Sequence, residues 1–187
     1  MADYSDYPTD LERDVTLKDG TLLRLRPIRP DDAPRLIEFY DRLSLHTAYK
    51  RFFSIMKRLP PNWARFLADV DYRTRLAIVA ERGPADAPEI EGVARYEPTD
   101  RPDTAEVAFV VQDGYQGRGL GTILLGCLLD AAHARGIRRF RAFVLGDNRR
   151  MLDLLTRFTN IRERKFEAGV VTLDFERRAI APPVHHG

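Results

Sequence analysis

A strand, a glycine-dense loop and a helix follow one another in the middle of this 187-residue chain and constrain its fold most strongly. Residues 105–111 are an apolar run whose alternate residues, beginning with Glu106, share one face of a predicted strand. Residues 116–122 contain three glycines, and residues 120–134 carry leucines at helical spacing. Backbone N–H groups at a helix start bind anions, and glycine permits close approach, so the segment predicts a phosphate-binding loop.

Three kinds of phosphate-binding loop have comparable glycine spacing. A P-loop requires Gly-Lys-Ser/Thr at its end, and no lysine follows Gly121. A dinucleotide fingerprint requires Gly-x-Gly-x-x-Gly, but from Gly117 the third position falls on Thr122. The third pattern, Gln/Arg-x-x-Gly-x-Gly/Ala, is matched by Gln116, Gly119 and Gly121. In this pattern the segment resembles the pyrophosphate loop of the GNAT N-acetyltransferases, which use acyl-CoA; a glycine-rich turn without a ligand is the alternative.

Composition and charge narrow the class of protein. Hydrophobic residues at 44% and charged residues at 31% are ordinary for a soluble domain, and a net charge of +2 favours neither nucleic acid nor membrane as a partner. Cys127 is the one cysteine, which excludes an internal disulfide, and its apolar neighbours favour a packing role over a nucleophile. We find no membrane span and no signal peptide, so we expect a cytoplasmic protein.

Turn and capping signals predict the order of the elements. Asp19-Gly20 marks a hairpin between strands at 15–17 and 21–28. Helices are expected after Asp31-Asp32, after Ser44 and after Asn62, and a short one after Asp147-Asn148. Further strands are predicted at 76–81, 90–96, 139–145, 161–167 and 170–175.

The unit strand–helix–strand from 105 to 145 requires one parallel pair, while hairpins give antiparallel pairs. We therefore predict the α/β class (α+β mixed): one domain with a central mixed, mostly antiparallel sheet that has one parallel strand pair and flanking helices. We expect residues 15–176 to form this domain, 1–14 to be an N-terminal tail that dangles or packs weakly, and 177–187, charged and then Pro-rich, to be a disordered C-terminal tail. Four histidines are scattered through the sequence: His46, His133, His185 and His186. They do not predict a metal site.

The element order resembles the GNAT fold over nearly the whole chain, and several segments make the resemblance more specific. Residues 15–20, 25–33 and 49–53 are similar to the acetyltransferase domain of bacterial Pat-type protein lysine acetyltransferases. Residues 105–109 and 115–119 strengthen the match. This resemblance implies acetyl-CoA as co-substrate without a metal, and a protein lysine as acceptor, with an acyl-CoA synthetase as the first candidate.

Acetyl transfer requires a base, because a lysine with a pKa near 10.4 is mostly protonated at neutral pH. Glu106 lies in a predominantly apolar run, where burial is expected to raise its pKa. The resemblance gives Glu106 the role of general base. A strand carboxylate facing solvent is the alternative.

The predicted strand also offers backbone groups to an extended ligand. Those of Phe109 to Val111 are expected to pair with the pantetheine amides, and the Val110 N–H to hold the oxyanion. Asn148 matches a family asparagine that binds the cofactor, and Arg157 lies where a basic residue often meets the outer phosphates, unless it is a solvated charge. The predicted cofactor-binding residues are Phe109, Val110, Val111, Gln116, Gly117, Arg118, Gly119, Leu120, Gly121, Thr122, Asn148 and Arg157.

The sequence departs from the family pattern after Asn148. Many members carry a tyrosine seven residues later, as general acid for the coenzyme A thiolate, and then a Gly-Phe pair. Here the positions hold Leu155, Thr159 and Asn160, so the proton donor to the thiolate stays open. Two other functions also stay open, namely acetylation of a small amine and a non-catalytic acyl-CoA-binding domain.

Overall fold

An eight-stranded sheet runs through the computed structural model, which describes residues 6–178. Its strands are β1 (Arg13–Thr16), β2 (Leu22–Pro27), β3 (Leu76–Arg82), β4 (Glu89–Pro98), β5 (Thr104–Val111), β6 (Arg139–Leu145), β7 (Thr159–Glu167) and β8 (Val170–Arg177). The α-helices are α1 (Ala33–Asp41), α2 (Leu45–Phe52), α3 (Pro61–Ala68), α4 (Leu120–Ala134) and α5 (Arg149–Phe158).

The strands are ordered β1-β2-β3-β4-β5-β6-β8-β7. Only β5 and β6 pair in parallel, and every other neighbouring pair in the described chain is antiparallel. A right-handed crossover needs room for a helix, and α4 fills the connection between β5 and β6. The predicted fold class is therefore confirmed.

Helices cover both faces of the sheet at β4 and β5. At Gly92 of β4, an added Cβ would lie 3.0 Å from Leu124 Cδ1, so glycine allows α4 to approach this face closely. The next residue, Val93, points to the opposite face, where it lines a small cavity with Leu36 and Phe39 of α1. The two faces of β5 are thus separated into an α4 side and an α1–α2 side.

A buried ion-pair network joins Arg26 and Asp32, within residues 25–33, to the sheet. Arg26 of β2 donates to both carboxylate oxygens of Asp32, at 2.7 and 2.8 Å, and to Glu81 of β3 at 2.9 Å. All three side chains are buried. Because breaking a buried pair leaves an uncompensated charge, the network ties the start of α1 to the sheet.

Local signals predicted the order of the elements, with strand ends that differ by at most two residues and one wrong helix cap at α3. The predicted bounds of α4 and β6 are confirmed, and Ser44 Oγ caps α2 by accepting from the Thr47 N–H at 3.2 Å. The expected cap at Asn62 is wrong, because α3 begins at Pro61, whose fixed φ suits the first helical position. Cys127 is half-buried against the core, and burial raises the pKa of its thiol.

Residues before 15 also pack against the domain. Leu11 is buried, and the Tyr7 hydroxyl donates to the Pro27 carbonyl at 3.2 Å. At the other end β8 continues to Arg177. Residues 1–5 and 179–187 lie outside the described residues, and the expectations for them, including His185 and His186, lie there too. Across residues 6–178, no helix is long and apolar enough to cross a membrane.

Candidate functional site

The site is a cavity between two strands that pair at one end and separate at the other. β5 and β6 are in register at three steps, the last joining Glu106 to Arg141. Beyond this step, β5 continues through residues 107–111 without pairing to β6, while β6 remains paired with β8 along its whole length. A cavity of about 650 Å³ opens between the separated parts, and both strands line it. The edge of β5 from Val107 onward is therefore available to an extended ligand.

The pairing of β4 with β5 decides which backbone groups face this cavity. The Gln112 N–H donates to the Glu91 carbonyl at 2.9 Å, and the β4–β5 register runs without a bulge. Since alternate residues of an antiparallel ladder turn to the same neighbour, the Val110 N–H also faces β4. Phe109 and Val111 turn their N–H groups to the cavity. The predicted oxyanion donor, Val110, is thus oriented away from the cavity.

The glycine loop forms one end of the cavity. Gly117 and Gly119 have φ values of 73° and 93°, a left-handed conformation that side chains rarely adopt. Gly119 is the N-cap of α4, and Gly121 and Thr122 occupy its first turn and line the cavity. The first N–H groups of a helix lack intrahelical partners, so this end offers donors and a positive dipole to an anion.

Side-chain contacts fix the turn before the loop. Gln116 Nε2 donates to the Val111 carbonyl at 3.0 Å and to Thr47 Oγ1 at 3.2 Å. Asp113 accepts from the Ser44 hydroxyl at 2.7 Å and from the Thr47 hydroxyl at 2.8 Å. Partial burial acts to raise the pKa of Asp113, but these hydrogen bonds hold it below its ordinary value. The turn is therefore bound to α2.

Two residues of the predicted loop set do not line the cavity. Arg118 forms an ion pair with Asp19 and donates to Thr21 Oγ1 at 2.7 Å, which ties the loop to the β1–β2 hairpin. The guanidinium also lies 4.8 Å from the Tyr115 ring centroid. Leu120 is fully buried in the core. The two side chains hold the loop in place, while the backbone N–H of Leu120 belongs to the first turn of α4.

Glu106 lies where β5 and β6 part, and it is exposed. The burial that we expected is therefore absent, although Thr104 and Val110 on the same face of β5 are buried. Directly opposite on β4 lies Glu97, which accepts from Arg75 Nε at 2.6 Å and from Arg95. Although burial acts to raise the pKa of Glu97, the two arginines hold it below its ordinary value. The Glu97 carboxylate is thus bound to two arginines, whereas the Glu106 carboxylate faces solvent.

The two predicted residues of α5 have different positions. Asn148 lines the cavity, and its Oδ1 accepts from the Met151 N–H at 3.3 Å as the helix cap. Arg157 is exposed and does not line the cavity; it lies about two and a half turns beyond Asn148 along the helix. Leu155, at the position of the family tyrosine, is fully buried and has no proton to donate.

Sequence reasoning missed a set of basic residues on the cavity wall. They come from α2 and from the start of α5, and they are His46, Lys50, Arg51, Arg149 and Arg150. Arg150 donates to Gln116 Oε1 at 3.1 Å. The pair Arg149-Arg150, directly after the capping Asn148, could have been recognised in the sequence as a basic pair at the start of α5. The α2 residues had none, because only tertiary packing lays that helix along β5.

A second cavity of about 30 Å³ adjoins the first on the α1–α2 side of β5. Arg51, Ala108 and Val110 line both cavities. The other walls are mostly apolar. No three His, Cys, Asp or Glu side chains gather as metal ligands within the part of the chain that the structure describes.

Comparison with known proteins agrees with this geometry. The profile of the Acetyltransferase (GNAT) family matches residues 38–159. The chain is 35% identical to Acetyltransferase Pat of Mycolicibacterium smegmatis over 172 residues, which are 91% of this chain and 49% of that protein. It thus spans about half the length of this relative.

Solved structures are similar over most of the chain. The GNAT domain of S. lividans PAT superposes with a TM-score of 0.82 at 38% identity, covering 91% of this chain and 99% of that one. YncA of Salmonella typhimurium, a putative acetyltransferase solved with its cofactor acetyl-CoA, gives a TM-score of 0.64 at 19% identity over 86% of this chain and 97% of that one, which shows a shared fold alone. With its family profile, its identity to Pat and its separated β5–β6 pair, the chain belongs to the GNAT acetyltransferase family.

Proposed function

We propose that this protein transfers the acetyl group of acetyl-CoA to the side-chain amine of a lysine in another protein. The observation that carries the proposal is the open edge of β5, with the glycine loop at one end and Glu106 at the other. A pantetheine chain has amide groups that suit pairing with Phe109 and Val111 as a neighbouring strand. The start of α4 suits the pyrophosphate.

Glu106 is proposed as the general base. The acceptor lysine must lose a proton before its nitrogen attacks the thioester carbon, and a carboxylate within reach directly or through one water takes that proton. Exposure of Glu106 is compatible with a proton route through water. As the tetrahedral intermediate forms, the cavity-facing N–H of Phe109, which is nearer to Glu106 than that of Val111, stabilises its oxyanion. The Phe109 carbonyl and the Val111 N–H remain for the pantetheine amides.

The leaving group needs little help from the protein. When the C–S bond breaks, the electron pair stays on sulfur as the coenzyme A thiolate, whose pKa near that of cysteine makes it stable enough to depart. Buried Leu155 contributes no proton, so solvent protonates the thiolate afterwards.

The proposed acceptor follows from similarity to the Pat domain over 91% of the chain. Purified protein with labelled acetyl-CoA is expected to label a lysine of a purified acyl-CoA synthetase, detected by peptide mass spectrometry. Turnover of polyamines, aminoglycosides or amino acids alone would instead establish a small-amine acetyltransferase. Binding of acetyl-CoA without any transfer would establish a non-catalytic domain.

A further inference from the structure

Helix α2 runs along the cavity from the glycine-loop end to the Glu106 end. Its capping residue Ser44 contacts Asp113, directly before the loop. Arg51, seven residues later, lines the cavity beside Ala108. A helix rises 1.5 Å per residue, so about 10 Å separates these two positions along the axis. Arg51 therefore belongs to the end where the acyl group and the acceptor meet, away from the loop that suits the phosphates.

The charge of Arg51 has no close counterpart in the described chain. The side chain is half-buried, and among residues 6–178 no carboxylate lies within ion-pair distance of it. Its described contact is the neighbouring Phe52 ring, 4.8 Å from the guanidinium carbon. Burial and the nearby Arg95 lower the pKa of Arg51 to about 10, against the weaker opposing effect of Glu106 and Glu97. Arg51 remains a cation at neutral pH.

Other arginines near the cavity differ from Arg51. Arg95 binds Glu97, and Arg150 donates to Gln116. Arg149 has no side-chain partner among the described residues, but it is exposed, and it lies at the start of α5. Lys50, next to Arg51, is also half-buried on the cavity wall without a hydrogen bond or ion pair to any described residue. Burying a cation without a partner costs free energy, and a carboxylate bound in the fork of a guanidinium offsets that cost. The α2 wall is thus suited to an anion.

We propose that Arg51, assisted by Lys50, forms a carboxylate-binding subsite at the acyl end of the cavity. This inference rests on the proposed transferase function. Two ligands bring a carboxylate to this place: a dicarboxylic acyl group on coenzyme A, or an acidic residue beside the acceptor lysine. Both use the same chemistry, and the experiment separates them.

The first arm measures binding only and needs no acceptor. Calorimetry compares succinyl-CoA with butyryl-CoA, which has the same number of acyl carbons and no carboxylate. A subsite for the acyl carboxylate predicts that wild type prefers succinyl-CoA by about tenfold, the effect of about 1.4 kcal/mol from a charged hydrogen-bonded pair. Arg51→Gln is expected to abolish the preference, while affinity for acetyl-CoA stays within about twofold.

The second arm uses transfer from acetyl-CoA to two peptides that differ only in Asp or Asn beside the lysine. A subsite for the acceptor carboxylate predicts about tenfold higher kcat/KM for the Asp peptide in wild type and equal values in Arg51→Gln. Arg51→Lys, which keeps the charge, is expected to retain part of the preference. If neither peptide is acetylated, the proposed lysine transfer fails while the first arm still tests the subsite.

The inference is overturned if wild type shows no preference for the carboxylate in either arm. It is also overturned if Arg51→Gln lowers turnover equally for both peptides and leaves the succinyl-CoA preference intact, because Arg51 then serves Glu106 instead of a ligand. Should Arg51→Gln fail to fold, the wild-type comparisons and Lys50→Gln, which is expected to weaken the preference two- to threefold, decide the question.

Discussion

At the glycine-loop end of the cavity, the turn and loop side chains are held by contacts with other elements, whereas at the other end Glu106 and Arg51 are not. Asp113 and Gln116 are bound to α2 and to the β5 backbone, and Arg118 is bound to the first hairpin. Glu106 is exposed, and Arg51 has no carboxylate within ion-pair distance in the described chain. The loop end is therefore organised without a ligand, and under our proposals the acyl group and the acceptor complete the Glu106 end.

The largest expected effect is a loss of turnover from a substitution at the Glu106 end alone. Glu106→Gln keeps the shape of the side chain and removes the base, so turnover is expected to fall by about 10²–10⁴-fold. Affinity for acetyl-CoA, measured by calorimetry, is expected to stay the same because the loop end is untouched. The loss should shrink as the pH rises toward the pKa of lysine, since the acceptor then needs less help. Wild-type turnover at pH 7 in the variant would remove Glu106 from the mechanism.

A smaller effect is expected from a change at the loop end. Gly121→Asp places a negative charge in the first turn of α4, where an added Cβ meets Leu154 at an ordinary 3.6 Å. Acetyl-CoA affinity is expected to fall by about 10- to 100-fold, because the charge opposes the pyrophosphate. Gly121→Asn has nearly the same size and serves as the neutral control. Equal affinities for the two variants would show that phosphate charge is not recognised here.

The smallest expected effect tests how firmly the loop end is built. The lowered pKa of Asp113 means that its hydrogen bonds stabilise the fold above the unfolded pKa, near 3.9, and that this contribution is lost as the pH falls through the lower folded value. Asp113→Asn is expected to lower the free energy of unfolding at pH 7 by at most about 1 kcal/mol, because the group is exposed. Urea unfolding at pH 7 and below pH 4 measures the difference, which should shrink at the acidic pH. A difference that grows with acidity would contradict the assignment.

Local signals in the sequence were sufficient for much of this architecture. The glycines of residues 116–122, the Asp19-Gly20 turn and the Ser44 cap act within a few residues, so a reader of the sequence can place them. The partners of Arg118 could not be predicted, because Asp19 lies 99 residues away in the chain. The exposure of Glu106 likewise depends on where neighbouring strands end.

Register and packing account for the remaining differences. The direction of the Val110 N–H depends on which β5 residues pair with β4, and a shift of one residue would reverse it. The role of the α2 wall depends on that helix lying along β5, which no spacing in residues 45–52 reveals. Sequence patterns therefore did not predict the features that depend on contacts between segments distant in the chain.

We expect acetyl-CoA to pair with the open edge of β5, and residue-resolved amide hydrogen exchange measures this pairing at single N–H groups. The Phe109 and Val111 N–H groups face the cavity, while those of Ala108 and Val110 are turned to β4 and serve as internal controls. Saturating acetyl-CoA is expected to slow exchange at Phe109 and Val111 by about tenfold or more and to change Ala108 and Val110 little. Unchanged exchange at both Phe109 and Val111, with acetyl-CoA demonstrably bound, would contradict this pairing.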